Sequence, residues 1–238
     1  MRATPARSLL APLLVLGSLV ASAGPADAGS REPTTEIVDS TGQDGLTGAL
    51  TFDDGPDPAN TPRLLDLLLA QGHTAVFCLW GEHARRYPDL VRRIVADGHV
   101  LCNHSMNHQD LGTWTPDQIR ADLLNTNAAI RAAVPQADIR YFCAPYGSWG
   151  QTPAVAAELG MQPLGWRLAV GDWEPPGTDE LVRRLLEGIT PGAVVLLHDG
   201  GGDRGQTVDA VARVVPELRA AGWRFTLPAR PGSRHVES

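Results

Sequence analysis

Lysine is missing from this chain: all 20 of its basic residues are arginine. The bias reads as a coding preference and carries no functional content. Against 27 acidic residues it leaves a net charge of −7. No stretch forms a basic stripe, so composition argues against a nucleic-acid partner. Cysteine is scarce: Cys78, Cys102 and Cys143 are the whole set, and an odd count leaves one thiol over. Repeats and a second domain are lacking too. The apolar stretch Leu9 to Val20 falls short of the roughly 18–20 residues that a spanning helix needs.

That stretch has a different build. Arg2 and Arg7 precede it, and two small-residue cleavage sites follow, Ala21-Ser-Ala23 and Ala26-Asp-Ala28. Residues 1–28 therefore read as an export signal. No cysteine lies near it to carry a lipid, and the two arginines are not adjacent, as the twin-arginine route requires. The expectation is a secreted, extracellular protein with no stable membrane anchor. Export makes a disulfide permissible. Residues 29–47 are rich in Gly, Ser, Thr and Asp and read as a flexible lead-in. Residues 48–228 form one domain, long enough for a substantial core, and 229–238 a mobile tail.

Within the domain, short apolar runs alternate with amphipathic stretches. Strands are expected at 49–52, 74–79, 99–102, 139–142, within 163–170, at 193–197 and at 223–227. Helices are expected at 61–70, 88–96, 115–133, 153–159, 178–187 and 208–220, the last bent near Pro216. Thr61-Pro62 and Thr115-Pro116 are cap-and-first-turn signals, and Gly72 and Gly98 are stops. Strands alternating with helices argue a parallel sheet. Periodicity does not separate a barrel from a doubly wound sheet. The chemically capable residues help: Asp53, His104, Cys143, Asp172 and His198 all fall at or just after strand ends, which converge on one face in a barrel.

Two motifs carry the chemistry. Thr51-Phe-Asp-Asp-Gly-Pro56 sets two carboxylates side by side at a strand end. Adjacent carboxylates repel unless a cation or a proton intervenes. His104-Ser-Met-Asn-His108 sets two imidazoles four residues apart, able to close on one metal ion. One Asp with both His could hold a divalent ion and leave the other Asp free as a base. His and Asp suit several divalent ions, so ligand type does not name the metal.

Further along stand Tyr141-Phe-Cys-Ala-Pro-Tyr-Gly147, Gly171-Asp-Trp173 and Val194-Val-Leu-Leu-His-Asp199. In this order the set resembles the polysaccharide deacetylases of carbohydrate esterase family 4, the nodulation-type chitooligosaccharide deacetylase domain, from about Gly48 to Leu227. The resemblance implies a distorted (β/α) barrel of about seven parallel strands. It implies Asp54, His104 and His108 as ligands of one divalent metal, zinc first, with cobalt or nickel as alternatives. It makes Asp53 the general base, His198 the general acid and Asp172 the partner that raises the pKa of His198. The Tyr146 backbone N–H would stabilise an oxyanion. Leu196, Trp173 and Pro145 would line the acetyl pocket, and Ser105 would orient its loop. The implied enzyme is a monomer that removes acetyl groups from N-acetylglucosamine polymers, chitin-like or peptidoglycan. An acetylxylan esterase shares every catalytic residue.

One position departs from the family. Its usual form is Arg-x-Pro-Tyr, the Arg contacting the base; this chain has Cys143 there. Arg140 should face the other side of its strand, and Arg167 is the candidate replacement. A catalytically impaired carbohydrate-binding member is the other outcome. Strand order makes Cys78–Cys143 too wide to bridge, about 9–10 Å across two strand spacings. Cys102 can pair with either, and a Cys78–Cys102 disulfide with Cys143 free is preferred, because Cys143 faces the site.

Overall fold

The computed structural model describes Met1 and residues 32–230. The expected export signal and most of the expected tail lie outside the described residues. No described helix is long and apolar enough to cross a membrane.

The domain is a curled parallel sheet wrapped in helices. In chain order the strands are β1 (Thr47–Gly55), β2 (Val76–Leu79), β3 (Val100–Asn103), β4 (Ile139–Phe142), β5 (Gln162–Pro163), β6 (Leu168–Ala169), β7 (Ala193–His198) and β8 (Arg224–Phe225). Seven run in the order β5-β4-β3-β2-β1-β7-β6, and β8 adds to β1. Every pairing is parallel. This is the distorted (β/α) barrel that the motifs implied. The stretch 163–170, expected to hold one strand, is split between β5 and β6, which lie at opposite ends of the sheet order.

The helices are α1 (Thr61–Gln71), α2 (Gly81–Arg86), α3 (Pro88–Ala96), α4 (Pro116–Ala133), α5 (Thr152–Glu158), α6 (Thr178–Gly188) and α7 (Gly205–Ala220). Their ends follow local chemistry. The Thr115 hydroxyl accepts from the Gln118 N–H, and the Gln118 side chain accepts from the Thr115 N–H. This capping box satisfies two orphan donors of α4. Gly72 ends α1 in the left-handed region, φ 68°, where a Cβ would be strained.

Alternation along the strands sorts side chains into two layers. Leu50, Phe52, Phe77, Phe142, Val195 and Leu197 pack with the helices. Ala49, Val76, Cys78, Cys102, Tyr141, Cys143 and Val194 form a second cluster containing no helix residue, the barrel interior. Asp53 continues the inner row of β1 and His198 that of β7, since period two carries alternate residues to one face.

The segment ahead of β1 departs from the expected flexible lead-in. Val38 bridges Leu164 and Ser40 bridges Ala193. The Val194 N–H donates to the Asp39 carbonyl, and the Gly165 N–H to that of Val38. The strip lies along backbone that the sheet leaves unpaired near β5 and β7, and backbone pairing holds a polar sequence in place.

Candidate metal and catalytic site

The elements deliver their polar residues to the C-terminal ends of the strands. Asp53 is the register partner of both Cys78 on β2 and His198 on β7. His104 follows β3, Cys143 follows β4, and Pro145 opens a short 3-10 turn through Gly147. The four described non-glycine residues with positive φ are Asp54 (71°), Ser105 (64°), His108 (54°) and Tyr146 (59°). Each is a site residue or neighbours one. Backbone in this region is costly for a residue with a Cβ, and its clustering marks a place that the surrounding fold holds against local preference.

Asp54, His104 and His108 offer ligand atoms within 4.8 Å of one another. Oδ1 of Asp54 lies 3.4 Å from Nε2 of each imidazole. Nδ1–H of His104 donates to the Cys143 carbonyl at 2.8 Å, so its Nε2 lone pair faces the carboxylates. That arrangement of a second partner fixes the ring for metal ligation. The electrostatics suit a cation. Burial pushes the His104 pKa down, but the charges of Asp53 and Asp54 outweigh it and raise it well above the usual value. Burial pushes Asp54 up, yet His104, with His198 and His108, holds its carboxyl far below the usual range. Charges that draw a proton onto His104 draw a divalent ion to the same place. Burial and the neighbouring His104 lower the pKa of His108, keeping it neutral as a ligand must be. The three residues thus fit a metal ion.

The base of the site is equally ordered. Asp53 is 2% exposed. Its Oδ2 accepts from the Cys143 thiol at 3.3 Å and lies 3.7 Å from Nε2 of His104. Its Oδ1 is buried without a hydrogen-bond partner among the described residues, an acceptor in position for a ligand or water. Across from it, His198 donates from Nδ1–H to Oδ1 of Asp172 at 2.8 Å, and its backbone N–H donates to Oδ2 at 2.9 Å. The Thr207 hydroxyl donates to the same Oδ2. Burial lowers the His198 pKa, but this hydrogen bond and the Asp172 charge prevail and raise it. Trp173 sets its ring edge-on to His198 at 5.5 Å and stays 45% exposed. Leu196 is buried two residues before His198, on the inner row of β7. Pro145 is buried, and Tyr146, 71% exposed, meets the ring of His108 at 4.4 Å.

All ten sequence candidates therefore gather at one end of the barrel, but three supporting expectations fail. Arg167 makes a half-exposed ion pair with Asp39 at 2.9 Å, because its segment lies against the strip ahead of β1, and it does not replace the missing arginine. Ser105 does not orient its loop through its hydroxyl, which has no described partner. Asn103 does so, accepting from the Ser105 N–H and donating to Leu123 and Asn127. The Cys78–Cys102 disulfide is absent: the two are register partners, yet all three cysteines are free thiols. Burial pushes Cys102 up to about 12 and Cys78 well above its usual value, and thiol–disulfide exchange needs the thiolate. Cys78 and Cys143 nonetheless approach more closely than a flat two-strand spacing suggests. Their sulfurs and an Asp53 oxygen lie within 4.8 Å, because a curled sheet turns inner side chains toward its axis, whereas the flat spacing assumed earlier keeps them apart.

Sequence reading missed four contributors. Trp80 donates from Nε1 to Oδ1 of Asp54 at 2.9 Å and stacks on His108. His83 donates from Nδ1 to the Asp54 carbonyl at 2.9 Å. Thr207 braces Asp172. The Asp199 N–H donates to the Asp53 carbonyl, while its fully buried carboxyl is pushed up to about 8, chiefly by burial. Trp80 and Asp199 follow strand ends, the signal that found the others. Gly201 makes room: a Cβ there would lie 2.4 Å from Oδ2 of Asp54.

Comparison with known proteins agrees with this geometry. The family model for polysaccharide deacetylase matches residues 42–164. A chitooligosaccharide deacetylase of Bradyrhizobium sp. (strain ANU 289) is 40% identical over 188 residues, covering 74% of this chain and 86% of that protein. A solved peptidoglycan N-acetylglucosamine deacetylase superposes with TM-score 0.74 at 30% identity, covering 80% of this chain and 89% of that one. A family 4 pseudoenzyme from Bacillus anthracis superposes with TM-score 0.71 at 28% identity, covering 76% and 63%. Matched at this level over most of the described domain, the chain belongs to the polysaccharide deacetylase family.

Proposed function

We propose that this protein is a secreted, metal-dependent deacetylase that hydrolyses the acetamide of N-acetylglucosamine polymers, chitooligosaccharide or peptidoglycan, as a monomer without a membrane anchor. One observation carries the reading. A partnerless carboxylate oxygen on Asp53 shares a strand-end register with a histidine held by a buried carboxylate, His198 on Asp172. The relatives named for chitooligosaccharide and peptidoglycan deacetylation support the substrate class. The export-like sequence of residues 1–28 supports secretion.

Asp54, His104 and His108 would hold the ion, zinc first among the candidates. When bound, such an ion polarises the acetyl carbonyl and lowers the pKa of water. The remaining work belongs to the protein's own groups. Asp53 accepts the proton of the attacking water through Oδ1, while the thiol of Cys143 keeps Oδ2 in place. The Tyr146 N–H donates to the developing oxyanion. His198, its Nδ1–H fixed on Asp172, offers the opposite nitrogen Nε2 and gives its proton to the departing amine. Leu196, Trp173 and Pro145 bound the pocket for the acetyl methyl.

Acetate release from chitooligosaccharides, peptidoglycan and acetylxylan, with added zinc or cobalt, tests this. Release from the first or second substrate is expected. Release from acetylxylan alone would make it an O-deacetylase. Sugar binding with no release from any would favour an impaired binder, the reading that a thiol in the arginine position supports.

A further inference from the structure

We propose that Asp53, Cys78 and Cys143 form a second cation site, selective for a thiophilic divalent ion of the cadmium type, and that an ion held there stops the reaction. Two sulfurs and a carboxylate oxygen from these residues lie within 4.8 Å of one another. Ligands about 2.0–2.3 Å from a tetrahedral zinc-like ion lie about 3.3–3.8 Å from one another. Sγ of Cys143 and Oδ2 of Asp53 already stand 3.3 Å apart, and side-chain rotation has to draw Cys78 in to the same spacing. All three residues are buried, at 2%, 0% and 3% exposure.

The site is already arranged around a small positive centre. The Cys143 S–H proton lies between Sγ and Oδ2 of Asp53, 3.3 Å apart. A soft cation would occupy the same place between the same atoms. Asp53 keeps a second, partnerless oxygen buried, and Cys78 adds a second sulfur from the neighbouring strand. Binding exchanges two thiol protons, released to solvent, for one ion; nothing is oxidised or reduced. Donor chemistry separates this site from that of Asp54, His104 and His108. Nitrogen and oxygen suit zinc, cobalt or nickel, whereas paired thiolates select the softer ion. Asp53 and Cys143 both stand at strand ends, and Asp53 lies beside His104, so the cluster borders the catalytic groups. The inhibitory half rests on the reading of Asp53 as base, because a carboxylate bound to an ion no longer takes a proton from water.

Cadmium chloride titrated into the zinc-loaded enzyme tests the proposal through two readouts, the ultraviolet thiolate-to-cadmium charge-transfer band and acetate release. One equivalent should raise the band and cut turnover by about a hundredfold, the scale of losing a general base, and dithiothreitol should reverse both. Cys78→Ser and Cys143→Ser should each lose the band, while Cys102→Ser keeps it. Circular dichroism confirms folding, and either of the two variants decides the matter if the other does not fold. Inhibition without a band would put cadmium on the nitrogen and oxygen ligands and overturn the proposal. A band surviving in both variants would overturn it too. The base reading is tested apart by Asp53→Asn without cadmium. If that variant is inactive while the cadmium-bound wild type turns over fully, the inhibitory half is wrong. If that variant is fully active, the base reading fails and the band alone decides the site.

Discussion

The backbone carbonyl of Cys143 accepts from Nδ1–H of His104 at 2.8 Å, while the side chain of the same residue donates to Asp53. One residue on the β4 loop thereby steadies both the proposed metal-ligand side and the proposed base side of the site. A long guanidinium is absent, and a short thiol takes part of its place.

Removing a ligand should remove the ion. His104→Ala is expected to lower metal affinity more than a hundredfold, beyond the 10- to 100-fold typical of outer-shell changes, and to abolish acetate release. Stoichiometric metal with full turnover in that variant would remove His104 from the ligand set.

Asp53→Asn should separate binding from chemistry. The ion stays bound through Asp54, His104 and His108, and kcat falls by roughly a hundredfold or more. Metal analysis and steady-state kinetics on one preparation read both quantities.

The pH profile should carry the mark of the Asp172–His198 pair. Because the His198 pKa is raised, its acid form persists above the ordinary histidine range, and the basic limb of kcat should lie above about pH 6.5. Asp172→Asn removes the raising partner, so that limb moves down and activity at neutral pH falls. The same pair stabilises the fold fully below the unfolded histidine value and ceases to do so as pH rises through the folded one. A limb unmoved in Asp172→Asn would assign it to another group.

Asp199 adds a pH dependence of the same sign. Its folded pKa, about 8, lies above the ordinary value of 3.8. The folded state therefore binds more protons than the unfolded one between those values, and stability falls as pH rises across that window. Asp199→Asn should flatten the dependence. Urea unfolding at pH 5 and pH 8 checks it, an unchanged slope being the adverse result.

Arg167→Ala should leave kcat unaltered and cost no more than about 1 kcal/mol, since its partner Asp39 is half-exposed and such pairs contribute little. A large loss of turnover would restore Arg167 to the site.

Much of this protein is written locally. Thr115-Pro116-Asp117-Gln118 encodes the start of α4 through its own hydrogen bonds, and Ile139–Phe142 is a strand in sequence reading and structure alike. Asp53, His104 and His198 were legible because each ends an apolar run, and strand ends meet in this architecture. Helix α2 was missed because Gly81–Arg86 is short and packs behind the site without a periodic apolar face.

What the sequence alone determined is the set of chemical groups and their attachment to strand ends, since these follow from residue type and from periods of two and 3.6 along one chain. Which groups touch was decided only by the tertiary structure. Arg167 and Cys143 are 24 positions apart, and nothing along the chain says which of them reaches Asp53. The curl of the sheet decides it, turning Cys78 and Cys143 inward to the same carboxylate while the strip ahead of β1 holds Arg167 at the surface through Asp39. Inter-strand geometry is a sum of small twists over many residues, and no single segment encodes it.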